Sequence, residues 1–311
     1  MLINYTFLNK VLPILCLIIF SSSGLAEKES SNTQSSPQSN WAEQCKDWDD
    51  WDKPGPPFQI FANSYYVGSC GISAILITGD NGHILIDGGT VAGADIIANN
   101  ITQLGFALED VKLLLHSHEH FDHVAGLAKL QKLTGARLLA SLEAAPVIRT
   151  GLSADGDPQA GLHAPFPAAR VDAVVNDSEV VKLGSIELTA IYTPGHTLGA
   201  LSWQWKSCEQ QTCHFIVYAD SLSPISNDQY YFSDQPEYVK AYQQGLEKLS
   251  NLDCHILIAP HPSASKMRDR LASEQGLIDE NGCIDYSRKN AYRLNGRLMK
   301  EKRKKRITTI K

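Results

Sequence analysis

From residue 58 onward, short apolar runs separated by polar turns predict strands and helices that alternate along the chain. The runs at 74–78 (AILIT) and 83–86 (HILI) flank Gly-Asp-Asn-Gly, and Asn-Gly between two apolar runs indicates a hairpin. Neither half of the chain is complete by itself, so we predict one α/β domain with layered sheets and outer helices. Further strands are predicted at 111–115, 137–140, 185–191, 201–205, 215–219 and 256–259, and helices at 92–104, 122–133, 237–249 and over most of the last forty residues.

The first 26 residues have the pattern of a secretory signal peptide. An apolar run at 11–20 (VLPILCLIIF) follows a single positive charge and is too short to span a bilayer. Gly24 and Ala26 then provide small residues before a cleavage site. We therefore predict a signal peptide at 1–26. The alternative, a stable membrane anchor, is disfavoured because the run is short and contains Pro13.

Composition changes again on either side of the predicted domain. Residues 27–40 (EKESSNTQSSPQSN) contain no large apolar residue and predict a flexible linker. The single domain then covers 41–311, beginning with an aromatic and acidic N-terminal arm. A segment at 150–167 that is rich in Gly, Pro and Asp predicts a long surface loop. The basic C-terminal tail at 300–306 (KEKRKKR) is interpreted as a solvated helix end or a disordered terminus.

Bulk composition is that of a globular protein. The chain has 311 residues, of which 43% are hydrophobic and 20% are charged, which is enough to bury a sizeable core. The formal net charge of −6 argues against a nucleic acid as partner.

The cysteines indicate an oxidising compartment. Of the seven cysteines, Cys16 lies in the predicted signal peptide, and an even number remains in the exported chain, which favours disulfides. None lies in a C-x-x-C zinc pattern. Other pairings and free buried thiols stay open. Pairing between nearest neighbours joins Cys45 to Cys70, Cys208 to Cys213 and Cys254 to Cys283.

The segment 115–123 (LHSHEHFDH) concentrates histidines and acids after an apolar strand and at the start of a helix. Imidazole nitrogens suit zinc, and a carboxylate compensates its charge. His118 and His120 are two residues apart, so both can point to one side of an extended turn. Asp122 and His123 follow on the first helical turn and can face a second metal. The segment therefore predicts a metal centre.

The spacing H-x-H-x-D-H resembles the signature of the metallo-β-lactamase superfamily. Two later segments extend the resemblance: residues 192–198 (YTPGHTL) carry His196 after a strand, and residues 258–263 (IAPHPS) carry His261 after another. The resemblance covers about residues 58–270 and implies the four-layer αβ/βα sandwich of the metallo-β-lactamase fold.

The resemblance also implies two Zn²⁺ ions per chain. Subclasses B1 and B2 use a cysteine ligand near residues 219–222, where this chain has Ala-Asp-Ser-Leu, so the ligand set is similar to that of subclass B3. The candidate pair Cys254 and Cys283 and the export signal fit the same subclass. The implied ligands are His118, His120 and His196 at the first zinc and Asp122, His123 and His261 at the second.

The activity implied by this resemblance is hydrolysis of the β-lactam ring of penicillins, cephalosporins and carbapenems, which confers antibiotic resistance. A hydroxide shared by the two zinc ions would attack the lactam carbonyl, and Asp122 would orient it. The hydroxyls of Ser221 and Ser223 would hold the substrate carboxylate, although each can also be an ordinary loop serine. We expect a monomer in the periplasm that binds a small-molecule substrate and has no stable membrane anchor.

Several residues near these motifs have two interpretations. Asp87, in Ile-Asp-Gly-Gly, is expected to hold ligands or backbone near the metals, or else to form a turn. Asp220 lies where thioesterase relatives have a metal-bridging carboxylate, and we expect it to contact ligands instead. We expect Glu119 to face solvent or the cleft rim, His116 to be structural, and His163 to line the cleft.

Two other functions stay open. One is a thioesterase of the glyoxalase II kind or a lactonase, which share the metal core; the export signal and the cysteine set argue against these. The other is an exported zinc-binding protein without turnover, which the complete set of six ligands argues against.

Overall fold

The computed structural model describes residues 1, 36–46 and 50–309. The predicted signal peptide, apart from Met1, and the predicted linker up to residue 35 lie outside the described residues. The described residues between 36 and 309 form one compact unit. No helix in the described part of the chain is long and apolar enough to cross a membrane.

The first sheet has seven strands in the same order as in the sequence. Its first four strands are antiparallel, and the fourth to seventh are parallel. The predicted hairpin around Asn-Gly is the pair β3–β4. The strands are β1 (Phe58–Phe61), β2 (Ser64–Tyr66), β3 (Ile75–Ile77), β4 (His83–Ile86), β5 (Val111–Leu115), β6 (Arg137–Ser141) and β7 (Val171–Val175).

The second sheet has five strands in the order β12-β11-β10-β9-β8. It is antiparallel except for the parallel pair of β11 and β12. The strands predicted in this half of the chain are confirmed, although the strand predicted at 201–205 extends to residue 209 and that at 215–219 begins at residue 212. The strand at 180–183 was not predicted. The strands are β8 (Val180–Leu183), β9 (Ile186–Tyr192), β10 (Leu201–Glu209), β11 (Thr212–Tyr218) and β12 (Ile256–Ile258).

Helices cover the outer faces of both sheets. The helix predicted over 122–133 is two helices, because the Gly126 N–H bonds the Gly89 carbonyl (3.1 Å) instead of continuing the helix. The helices are α1 (Pro37–Gln44), α2 (Gly93–Gln103), α3 (Phe121–Val124), α4 (Leu127–Thr134), α5 (Ala144–Thr150), α6 (Pro236–Ser250), α7 (Met267–Leu271) and α8 (Gly282–Thr309).

The core divides into three layers of packing because successive side chains of a strand point to opposite faces. Ile75 and Ile77 point between the two sheets, where they join Trp203 of β10. Leu76 points the other way and packs with the helices on the outer face of the first sheet. Leu257 of β12 packs with α6 and α8 on the outer face of the second sheet. The predicted four-layer αβ/βα sandwich is confirmed.

The prediction of a flexible linker is wrong for residues 37–40, because they belong to α1. Ser36 caps the helix by accepting from the Ser39 N–H (3.1 Å), and Pro37 occupies the first turn. Trp41 is fully buried and packs edge-on against Tyr66 at 5.5 Å between ring centroids. Burial of Trp41 explains the helix: one large apolar residue anchors the polar residues before it.

Three disulfides and the last helix complete the domain. The disulfides join the nearest-neighbour cysteines, as the sequence suggested: Cys45–Cys70, Cys208–Cys213 and Cys254–Cys283. Of the two interpretations of the basic tail, the helical one is right, since α8 continues through 300–306.

Candidate metal centre

The histidine-rich segment lies where β5 ends and α3 begins. His118 and His123 are fully buried, and His120 and Asp122 are 6% and 5% exposed. His120 directly precedes α3, and the first turn of α3 carries Asp122 and His123. The turn after β9 brings His196 to the same edge of the domain, and the turn after β12 brings His261.

Two groups of donor atoms result, each with its atoms within 4.8 Å of one another. The first contains His118, His120 and His196, as the sequence implied. The second contains His118, Asp122 and His123. His261 borders that second group, since its Nε2 is 3.4 Å from the Asp122 carboxylate.

In three of the histidines, the contacts of Nδ1 show which side of the imidazole faces the donor cluster. His118 Nδ1 is 2.9 Å from Asp220 Oδ1, and His123 Nδ1 is 3.3 Å from Asp87 Oδ2. His196 Nδ1 is 2.9 Å from the Ser223 carbonyl oxygen. The Nε2 of His118 is buried and has no hydrogen-bond partner among the described residues. Histidines held in this way by a carboxylate or carbonyl are typical metal ligands, so the donor set fits a metal cofactor.

The electrostatics of the cluster favour a cation. Burial lowers the pKa of His196 to about 3, with His120 adding to the effect, so its imidazole is neutral. Burial opposes ionisation of Asp122, but His123 and His261 hold its pKa well below the usual range. Against burial, Asp122 raises the pKa of His123 to about 10. The carboxyl groups of Asp122 and Asp87 therefore stabilise positive charge at this position, as a cation site requires.

Asp87 and Asp220 hold the ligands from behind. Asp87 is fully buried and accepts from the Ser117 N–H (2.6 Å), the Ser117 hydroxyl (2.7 Å) and the Tyr218 hydroxyl (2.7 Å). Asp220 is also fully buried, and burial raises its pKa to about 8. Both carboxyl groups contact the side of a histidine ring that faces away from the donor cluster.

Of the two expectations for Glu119, exposure to solvent is wrong, whereas a place beside the cleft is supported, because Glu119 lines a cavity of about 230 Å³ together with His120 and His163. Glu119 is 4% exposed and accepts from the Thr197 hydroxyl (2.6 Å) and the Gly199 N–H (2.9 Å). Its charge is buried because the turn around His196 supplies these donors, which the local sequence does not reveal. His116 is structural, as expected: its Nε2 accepts from the Ser141 N–H (3.1 Å).

A cavity of about 490 Å³ opens over the donor cluster. Ser221 and Ser223 lie in its wall, and the Ser221 hydroxyl is buried without a hydrogen-bond partner among the described residues. His163 also lines it, as the sequence suggested. The remaining lining residues include Trp51, Gln159, Lys289 and Arg293, which the sequence analysis missed.

These missed residues come from distant parts of the chain. Trp51 of the N-terminal arm lies 5.9 Å from the His261 ring, between centroids. Lys289 and Arg293 are one helical turn apart on α8, and both reach the cavity. The one available signal was their spacing of four residues, which is common on any helix.

Asp157 is a further residue that the sequence analysis missed. It belongs to the loop between α5 and β7, and its carboxyl oxygens are 3.0 and 3.2 Å from His120 Nε2. Burial by itself raises the pKa of Asp157, but the hydrogen bond with His120 outweighs it and lowers the pKa below the usual range. Asp157 thus lies beside His120 as Asp220 lies beside His118 and Asp87 beside His123.

Curated hydroxyacylglutathione hydrolases match the chain over part of its length. A hydroxyacylglutathione hydrolase from Maricaulis maris is 31% identical over 106 residues, which cover 34% of this chain and 32% of that protein. One from Methylobacterium nodulans is 33% identical over the same length. The chain thus spans about a third of the length of these curated relatives.

Solved structures match over nearly their whole length. The MIM-2 metallo-β-lactamase is 55% identical, with a TM-score of 0.82, and the match covers 85% of this chain and 98% of that one. MIM-1 from Novosphingobium pentaromativorans is 41% identical (TM-score 0.83, 86% and 99%). MEM-A1, a subclass B3 enzyme from a soil metagenome library, is 42% identical (TM-score 0.78, 82% and 100%). Residues 67–261 match the family model of the metallo-beta-lactamase superfamily. The chain therefore belongs to that superfamily, and within it to the subclass B3 metallo-β-lactamases.

Proposed function

We propose that the protein is a zinc-dependent β-lactamase that opens the ring of penicillins, cephalosporins and carbapenems and so confers antibiotic resistance. The observation that carries this proposal is the pair of donor groups that share His118 on the floor of an open cavity. Solved structures related over nearly their whole length are named metallo-β-lactamases, which supports the substrate class.

Two zinc ions are the proposed cofactor. Nitrogen and carboxylate donors without a thiolate suit zinc in a catalytic site. When bound, the metal pair supplies Lewis acidity and lowers the pKa of water toward neutrality. The proposed ligands are His118, His120 and His196 for one ion and Asp122, His123 and His261 for the other.

The remaining chemistry belongs to the side chains of this chain. Asp122 is ionised and nearly buried, so it can accept a hydrogen bond from the attacking water and orient it toward the lactam carbonyl. Ser221 and Ser223 can donate hydrogen bonds to the substrate carboxylate. Lys289 and Arg293 add positive charge to the same cavity, which favours an anionic substrate.

The thioesterase alternative is less well supported. Asp220 would bridge two metals in a thioesterase, but its carboxyl oxygen lies 2.9 Å from His118 Nδ1, on the far side of the ring from the unpartnered Nε2. This geometry favours a contact with the ligand over a contact with the metals. Asp87 is proposed to act on His123 in the same way.

The cellular setting is also a proposal. A signal peptide at 1–26 and three disulfides fit export to the periplasm, since disulfides persist in oxidising compartments. We propose that the mature protein is a monomer without a nucleic-acid partner or a stable membrane anchor.

The first experiment measures hydrolysis of a carbapenem and of a chromogenic cephalosporin by the purified protein, with and without a zinc chelator. We expect loss of lactam absorbance, two zinc ions per chain, and inactivation by the chelator. Asp122→Ala should abolish turnover, whereas Asp80→Ala, at an exposed turn, should retain it.

The other outcomes separate the alternatives. Cleavage of a glutathione thioester or a lactone, with both lactams untouched, would keep the metal site and refute the substrate class. Bound zinc without turnover of any of these compounds would favour a non-catalytic zinc-binding protein.

A further inference from the structure

The residues that hold the ligand histidines differ in how firmly the fold positions them. Asp87 directly follows β4, and Asp220 follows β11 by one residue, so a strand of the core holds each of them. Asp157 belongs instead to the loop 151–170, which joins α5 to β7. The orientation of His120 therefore depends on where a loop lies.

The contact between Asp157 and His120 selects one tautomer of the neutral imidazole. Asp157 is 5% exposed, and both of its carboxyl oxygens face His120 Nε2, at 3.0 and 3.2 Å. A carboxylate only accepts hydrogen bonds, so Nε2 carries the hydrogen. Nδ1 is then left with its lone pair for a metal.

The same loop forms one wall of the cavity. Gln159 and His163 line the cavity over the donor cluster. Asn227 holds the loop at Pro158, whose carbonyl accepts from the Asn227 N–H (2.8 Å). Among the described residues, two side chains of the loop 151–170 make polar contacts with the ligand histidines: Asp157 contacts His120, and Gln159 Nε2 lies 3.3 Å from His196 Nε2. Asp157 makes the shorter contact and provides the one charged group of the two.

We propose that Asp157 is a positioning residue that couples the loop 151–170 to the metal centre. It holds His120 with Nδ1 directed to the metal, and a bound metal in turn holds His120, and with it the loop, in place over the cavity. The coupling is reciprocal, because a loop position that strengthens metal binding is itself stabilised by the metal. The inference rests on the metal site of the proposed function, but not on its substrate.

Zinc affinity is the first test. Zinc binding to metal-free protein is measured by competition with a chromophoric chelator in Asp157→Ala and in Asp157→Leu, which preserves side-chain volume. We expect zinc affinity to fall by about 10- to 100-fold in both variants, the range for removing such a partner. Asp155→Ala, at an exposed position of the same loop, is the matched control and should keep the parent affinity.

A conservative variant separates a positioning role from a purely structural one. Asp157→Asn keeps an oxygen that can accept from Nε2–H, so its loss of affinity should be smaller than that of Asp157→Ala. The absorption spectrum of the Co²⁺-substituted protein should change in the alanine variant and be closer to that of the parent in the asparagine variant. Equal losses in both variants would contradict selection of the imidazole form.

Limited proteolysis tests the reciprocal effect. Zinc should slow cleavage within 151–170 in the parent and in Asp155→Ala, and should slow it much less in Asp157→Ala. Parent zinc affinity in Asp157→Ala and Asp157→Leu, or unchanged protection of the loop, would overturn the inference. These measurements use no lactam, so a failure of this inference can be distinguished from a failure of the proposed β-lactamase activity.

Discussion

Asp87 offers the sharpest test of how the core holds the metal centre. Its fully buried carboxyl group accepts three hydrogen bonds, two from Ser117 and one from Tyr218, at 2.6 to 2.7 Å. It also has a φ of 67°, in the left-handed region. Asp87→Ala removes the acceptor, leaves the buried Ser117 N–H unsatisfied, and keeps a residue with a Cβ in an unfavourable backbone conformation. The Ser117 and Tyr218 hydroxyls keep longer contacts, with His118 Nδ1 (3.3 Å) and with the Ser73 carbonyl (3.2 Å).

The expected loss of unfolding free energy follows from these contacts. The unsatisfied Ser117 N–H destabilises by about 1–3 kcal/mol, and the loss of each hydroxyl hydrogen bond to the carboxylate adds about 1 kcal/mol. Part of this is recovered, because the variant no longer desolvates a carboxyl group. We therefore expect Asp87→Ala to lose about 3–5 kcal/mol, the range for removing one member of a buried charged network. Ser117→Ala removes one hydroxyl donor and should lose about 1 kcal/mol.

The assay is urea unfolding of the chelator-treated protein with its disulfides intact, so that metal binding does not contribute. Asp87→Asn should be less destabilised than the alanine variant, because asparagine tolerates the left-handed region and keeps one acceptor. Asp80→Ala, at an exposed turn, should stay within about 0.5 kcal/mol of the parent. A loss in Asp87→Ala no larger than that of Ser117→Ala would refute the reasoning.

Three further predictions concern the disulfides, a buried acid and a turn. Joint replacement of Cys254 and Cys283 by Ser opens a disulfide with a sequence separation of 29 and should lower the unfolding free energy by about 3.5 kcal/mol; an unchanged urea midpoint would contradict this. Burial raises the pKa of Asp220 to about 8, so the metal-free folded state binds the extra proton, and stability should fall as the pH rises from about 4 to about 8. Metal-free Asp220→Asn should lack that fall relative to the parent, and parallel stability profiles of the two proteins would be evidence against it. Gly195→Ala would bring a Cβ within 2.3 Å of the buried Tyr242 ring, so we expect a loss of about 1–3 kcal/mol in urea unfolding, and parent stability would exclude the predicted clash.

The predictions made from short segments were largely confirmed. The hairpin between 74–78 and 83–86 depends on two apolar runs and one Asn-Gly turn, all within a few residues. The strand at 111–115 is confirmed with the same bounds. The helix over 122–133 was predicted as continuous, and its break at Gly126 depends on a hydrogen bond to Gly89, far away along the chain.

The errors at the site arise from contacts across long sequence separations. Glu119 is buried because the turn at 197–199 supplies its donors, and nothing within the motif indicates this. Asp157 lies in the segment 150–167, where the sequence singled out His163 as a cleft residue but gave no signal for Asp157. The sequence predicted a helix that includes Lys289 and Arg293, but it did not show that both side chains line the cavity.

Adjacent residues and apolar periodicity were therefore enough to predict the layered α/β domain and the histidine-rich centre, because strand alternation and donor spacing act over a few residues. The tertiary structure decided how the centre is held and what surrounds it. Asp87, Asp157 and Asp220 contact their histidines across separations of 36, 37 and 102 residues. Their effect depends on their burial and on which nitrogen of each imidazole they contact. Both properties exist only once the two sheets have packed together.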